Sequence, residues 1–129
     1  MVDPPFPSMS LARDAQEHPV PVPVRDRVRS IVDAFVEGDL SLEHHPIEGV
    51  ECVDPRTAAF IARSIAEYGD TLAALDEATW ERSCYRWMDG FWEILVDLTT
   101  SREAVSDLTL HIKMHDVPRR IEICSVHTP

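Results

Sequence analysis

Two stretches near the C-terminal end decide the fold of this chain: WEILVDL at residues 92–98 and LTLHIKM at residues 108–114. In both, every second residue is apolar, and most of the residues between them are polar. A period of two is typical of β-strands that bury one face. The segment IEI at residues 121–123 repeats the pattern, so the last forty residues or so are predicted to form antiparallel strands.

Upstream of these strands the apolar residues follow a helical period. A first helix is predicted from about Val24 to Asp39, because its apolar residues recur at spacings of three and four. Asp54 and Pro55 predict the start of a second helix, since Asp is a preferred N-cap and Pro suits the first helical position. This helix is predicted to end near Tyr68.

The connections between the strands also carry turn signals. Asp89 and Gly90 form the dipeptide that favours a tight hairpin turn. A helical half followed by a stranded half is typical of an α+β domain. We therefore predict two N-terminal helices packed on one face of a roughly four-stranded antiparallel meander.

The length of 129 residues corresponds to one domain. Residues 1–23 contain six of the ten prolines, and each proline ring fixes φ and removes an amide donor. We therefore predict a proline-rich disordered arm over residues 1–23 and a single α+β domain over residues 24–129.

The charge is strongly negative. Asp and Glu number 23 against 12 Lys and Arg, which gives a formal net charge of −11. Binding to nucleic acid requires clustered basic residues, so this class of partner is not expected. An acidic surface attracts a basic protein partner, and it also serves simply to keep a small protein soluble.

Several classes of function lack their sequence signals. No apolar run approaches the roughly 20 residues of a membrane span, and the N-terminus does not resemble a signal peptide. We therefore expect a cytoplasmic protein with no membrane partner. The three cysteines form no C-x-x-C pair, and there is neither a glycine-rich phosphate loop nor a nucleophile elbow. Accordingly we expect no metal, no cofactor and no catalytic residues.

The best candidate for a binding surface combines aromatic and acidic residues. Trp80 and Trp87 lie close together in the sequence, and tryptophan is enriched at the hot spots of protein interfaces. If these side chains are exposed, they would anchor a partner, although they would equally suit the core. The carboxylates predicted to surround them are Asp76, Glu77, Asp89 and Glu93.

An alternative function depends on Asp97 and His111. Both fall on the polar faces of neighbouring predicted strands, so they could face one another as an acid/base pair. In this alternative the protein is a small-ligand-binding domain or an enzyme, with a pocket between the sheet and the helices.

One resemblance concerns the first helix alone. The segment VRSIVDAFVEGD at residues 28–39 resembles the opening helix of the nuclear-transport-factor-2-like fold. That resemblance implies a conical sheet around a ligand pocket. The rest of the chain departs from this fold, because the later strands are few and short.

A second resemblance extends over residues 24–127. A helix ending in Gly38 and Asp39, then YGDTL at 68–72, WEILVDL at 92–98 and SDLTL at 106–110, resembles a family of small acidic bacterial domains of unknown function. Some of these resemble immunity proteins of polymorphic toxins. The resemblance implies a non-enzymatic protein-binding domain, in the immunity case an inhibitor that blocks a basic toxin domain.

Overall fold

The computed structural model describes residues 9–129. Two α-helices come first, followed by six β-strands and one 3₁₀ helix, so the predicted α+β class is confirmed. The elements are α1 (Val22–Val36), α2 (Pro55–Tyr68), β1 (Leu72–Ala73), the 3₁₀ helix (Glu77–Glu81), β2 (Cys84–Trp87), β3 (Trp92–Asp97), β4 (Thr99–Thr100), β5 (Thr109–Asp116) and β6 (Arg119–His127).

The four longer strands form one antiparallel sheet in the order β2-β3-β5-β6, and β1 pairs separately with β4. The predicted hairpin between β2 and β3 is confirmed. Asp89 and Gly90 both have positive φ, at 58° and 145°, as a tight turn of this kind requires. Between β5 and β6 the register shifts at His111, which leaves Cys124 as an extra residue in β6.

The helix ends follow from local chemistry. The carboxylate of Asp54 accepts a hydrogen bond of 3.0 Å from the amide of Thr57, which caps the start of α2. Gly69 ends α2 in the left-handed region, at a φ of 84°. The predicted start and end of the second helix are thus both observed.

The core lies on one face of the sheet, beneath the helices. The alternate apolar residues of β3, β5 and β6 point to this side, where they pack with the apolar stripe of α1. The opposite face has no helix over it among the described elements and carries polar side chains that are partly exposed. The α1 residues in the core are Val24, Val28, Ile31, Val32 and Phe35.

Residues 9–21 differ from the predicted disordered arm, because they pack against the sheet. The side chain of Val20 is only 1% exposed. His18 and Tyr85 exchange two backbone hydrogen bonds of 3.0 and 2.8 Å, and the indole Nε1 of Trp92 donates to the carbonyl of Ala12 at 2.9 Å. The extended backbone that proline favours is compatible with lying beside a strand. The rest of the predicted arm, residues 1–8, lies outside the described residues.

Candidate functional site

Trp80 does not offer an exposed anchor, in contrast to the expectation for a docking surface. Its side chain is 4% exposed. The guanidinium carbons of Arg25 and Arg29 lie 5.3 and 5.2 Å from its ring centroid, close enough for cation–π contacts. An indole provides a large apolar area, which is buried here beneath two α1 arginines, whereas its Nε1 has no hydrogen-bond partner among residues 9–129.

The acidic residues next to Trp80 have structural partners. Asp76 accepts a hydrogen bond of 2.9 Å from the amide of Ala78, which caps the 3₁₀ helix. Glu77 forms an ion pair with Arg29 at 2.7 Å. These carboxylates are therefore already used to hold the 3₁₀ helix and α1 in place.

Trp87 lies at the far end of β2 from the 3₁₀ helix that carries Trp80. It is half-buried, with its ring 4.8 Å from that of Trp92 and the guanidinium of Arg13 also 4.8 Å away. Asp89 is exposed in the hairpin turn beyond it. Glu93, by contrast, points to the open face of the sheet. The six predicted binding residues thus do not come together in one patch.

Asp97 and His111 are also not brought together. Asp97 stands opposite Thr109, whose hydroxyl donates to it at 3.0 Å, whereas His111 stands opposite Leu95. Both lie on the open face, away from the helices, so the predicted pocket between sheet and helices does not contain them. The carboxylate near His111 is that of Glu93.

The environment of His111 changes the pKa of its imidazole. Burial lowers the pKa of its imidazole, and the negative charge of Glu93 opposes this shift without overcoming it. Nε2 of His111 lies 3.3 Å from Oε2 of Glu93, but the angles do not make a hydrogen bond and Nε2 has no other partner among the described residues. Because a hydrogen bond weakens steeply when it is bent, the effect of Glu93 on His111 is chiefly that of its charge.

Metal binding requires several ligands that converge on one point. Within residues 9–129 no three His, Cys, Asp or Glu side chains are arranged to hold a metal ion.

A different acidic surface is formed around the C-terminal half of α1. A groove of about 860 Å³ runs between this part of the helix and the loop that follows it. We call it the acidic groove, and its lining includes Asp33, Val36, Glu37, His45, Ile47 and Glu48.

The carboxylates of the acidic groove lack basic partners. Asp33, Glu37 and Glu48 are exposed and form no ion pair with any residue from 9 to 129. The lining residues include neither Lys nor Arg. Between them lies Val36, an apolar side chain that is 44% exposed. The groove therefore combines uncompensated negative charge with apolar surface.

The loop wall of the groove is held by a buried carboxylate. Asp39, which is 6% exposed, accepts hydrogen bonds from the amide of His44, Nδ1 of His45 and the hydroxyl of Ser41. Burial raises the pKa of Asp39, but these hydrogen bonds outweigh it and lower the pKa to about 2. Asp39 consequently stays ionised and fixes the loop against α1.

The loop also contains a residue with a strained backbone conformation, and the burial of its side chain compensates for this strain. Leu42 has a φ of 64°, in the left-handed region that branched residues rarely adopt. Its side chain is fully buried in the core. The apolar contacts of Leu42 and the hydrogen bonds of Asp39 together determine where the groove wall lies.

Sequence reasoning missed the acidic groove. Asp33 and Glu37 are four residues apart on a helix, so their common face could have been inferred. Glu48 approaches them only through the conformation of the loop, which no periodic pattern predicts.

Comparisons with known proteins give one match. A family model described as a domain of unknown function, DUF7668, matches residues 32–129. Neither a curated protein nor a solved structure matches the chain. The match fits the predicted resemblance to a domain family of unknown function, but it does not extend to immunity proteins or to the nuclear-transport-factor-2-like fold. None of the helices within residues 9–129 is long and apolar enough to cross a bilayer.

Proposed function

We propose that this chain, which belongs to the DUF7668 family of domains of unknown function, is a non-enzymatic domain that binds a basic segment of a partner protein. The observation that carries the proposal is the acidic groove, which Asp33, Glu37 and Glu48 line together with neither Lys nor Arg among the lining residues. Carboxylates that form no ion pair within residues 9–129 remain available to Lys and Arg from another molecule.

The charge of the whole molecule supports the same proposal. With a net charge of −11, the chain attracts cationic partners over distances of about a Debye length, ~10 Å at 0.1 M salt. Such attraction raises the association rate, and it weakens as the ionic strength increases. Binding should therefore be faster at low salt than at high salt.

The finer form of the proposal is that the partner is a toxin or effector and that this chain is its immunity-type inhibitor. A small acidic domain that covers a basic catalytic surface would block substrate access without any chemistry of its own. The negative charge of the chain supports this form.

Two triple variants test the proposal. The groove variant carries Asp33→Asn, Glu37→Gln and Glu48→Gln. The control variant carries Glu67→Gln, Glu81→Gln and Asp89→Asn, which are exposed carboxylates outside the groove that form no ion pair with any residue from 9 to 129. Each variant changes the net charge from −11 to −8, since three negative charges are removed from the same chain.

Each variant and the original chain would be used to capture proteins from the native host, with identification by mass spectrometry. We expect a basic protein that is retained by the original chain and the control variant but lost with the groove variant. If both variants retained the basic protein to the same extent, only the overall charge would matter. That result would contradict the proposal that the partner binds in the acidic groove. For the immunity form, co-expression of the original chain, but not of the groove variant, should prevent growth arrest by the captured partner.

A further inference from the structure

An apolar cleft lies next to the acidic groove, between the end of α1 and the second half of α2. Its volume is about 350 Å³, at the lower end of the range for ligand pockets. Most of the residues that line it are apolar, with Asp70 and Thr71 as the polar exceptions. The apolar residues include Val36, Leu40, Ala62, Ile65, Ala66 and Leu72.

The cleft arises because the two helices diverge. α2 packs mainly on β6, and only Ile61 of its side chains is fully buried. The side chains of α2 toward α1 include Ala62 and Ala66, which are exposed. Since alanine is short, these positions leave the space between the helices unfilled.

The cleft and the acidic groove adjoin at one residue. Val36 lines both of them, and it lies on α1 between Asp33 and Glu37 of the acidic groove. A ligand that enters the cleft beside Val36 therefore has negative charge immediately next to it. Burial of free apolar surface is favourable, and the neighbouring negative charge favours a cationic ligand.

We infer that the cleft takes the apolar anchor of a basic amphipathic segment, with a side chain the size of Leu inside it and adjacent Lys or Arg residues on the carboxylates of the acidic groove. This inference rests on the proposed function, and it adds that the partner is recognised by apolar contact as well as by charge. Charge complementarity and the position of Val36, which lines both the cleft and the acidic groove, argue for this occupant.

The probes that test it are two synthetic peptides of equal charge. Each peptide has a central pair of residues with two Lys residues before it and two after it. The central pair is Leu-Leu in one peptide and Ser-Ser in the other. We expect the Leu-Leu peptide to bind at least about tenfold more tightly and to shift the methyl NMR signals of Val36, Leu40 and Ile65.

Two variants of α2 serve as a matched pair. Ala62→Phe fills the cleft, whereas Ala59→Phe adds the same side chain at an exposed position of the same helix that does not line the cleft. Only Ala62→Phe should abolish the preference for the Leu-Leu peptide, and neither should change binding of the Ser-Ser peptide. Circular dichroism of both variants would verify that α2 is intact.

The outcomes separate this inference from the proposed function. Equal affinities for the two peptides, or equal effects of the two variants, would overturn the apolar anchor. If the groove variant still lost its partner in that case, the proposed function would stand without the apolar anchor. Methyl signals of Val36 and Ile65 that shift with protein concentration in the absence of peptide would assign the cleft to a second copy of the chain, which would also overturn the inference.

Discussion

Oδ2 of Asp39 lies 2.9 Å from Nδ1 of His45, so a buried carboxylate at the end of α1 holds a residue of the acidic groove in place. The same carboxylate accepts a hydrogen bond from the amide of His44. A hydrogen bond to an ionised acceptor is stronger than one between neutral groups. The shape of the groove wall consequently depends on the ionisation of Asp39.

We expect the Asp39→Asn variant to unfold at lower urea concentration than the original chain at pH 6. The folded pKa of Asp39 is about 2, below the ordinary value of 3.8. Its carboxylate therefore stabilises the fold above about pH 4 and progressively loses this effect as the pH falls toward 2. The difference between the two urea midpoints should shrink over that window. Asp33→Asn removes a carboxylate without such hydrogen bonds, and identical behaviour of the two variants would contradict the role of Asp39.

Val20→Ala should destabilise the fold by about 2 kcal/mol, because two buried methyl groups are lost and a cavity remains. Val22→Ala is the matched control, since the same substitution two residues later removes a side chain that is 61% exposed. Its effect should stay within about 0.5 kcal/mol. Urea unfolding monitored by tryptophan fluorescence gives both values. Two equally small effects would mean that residues 9–21 do not contribute to the core.

The imidazole of His111 should titrate below 6.5, the ordinary value for histidine, because burial favours its neutral form. In Glu93→Gln the pKa should fall further, since the negative charge that opposes the shift is removed. Glu48→Gln, in the acidic groove, should leave it unchanged. The ring proton signals in NMR spectra recorded from pH 4 to 8 report the midpoint directly. A midpoint above 6.5 in the original chain would refute this description of the open face.

Because the folded pKa of His111 is lowered, the unfolded chain takes up its proton first as the pH falls. This residue therefore contributes stability above about pH 6.5 that is lost below it. The direction matches that of Asp39, so both groups weaken the fold in acid, but they do so in separate pH ranges.

The strands and helices could be predicted because each depends on a short-range pattern. The alternation at Trp92, Ile94 and Val96 requires only a two-sided sheet, and the start of α2 requires only that Asp54 can cap Thr57. Such signals reside within a few residues of the chain.

The binding surface could not be predicted in the same way, because exposure depends on what packs from far along the sequence. Trp80 is buried by Arg25 and Arg29, some fifty residues away. Nothing near Trp80 in the sequence indicates that α1 will cover it. The same holds for Glu48, which lines one groove with Asp33 through a loop whose conformation Asp39 and Leu42 hold.

The proline-rich segment shows a third limit of prediction from the sequence. Its proline content predicts an extended backbone, but extension alone does not distinguish a solvated arm from a strand-like segment. The distinguishing features are the apolar side chains that pack on the core, above all Val20, and the backbone of Tyr85, whose carbonyl accepts from the amide of His18 and whose amide donates to the carbonyl of His18.

That exchange between His18 and Tyr85 has a consequence for how the molecule behaves in a crowded solution. β2 is the outermost strand of its sheet, and an outermost strand with free amides and carbonyls is a template on which other chains can add and aggregate. The segment before α1 occupies part of that template within the same molecule. A chain that begins at Pro19 would keep α1 but lose the pairing of His18 with β2, and a tendency to self-associate would follow.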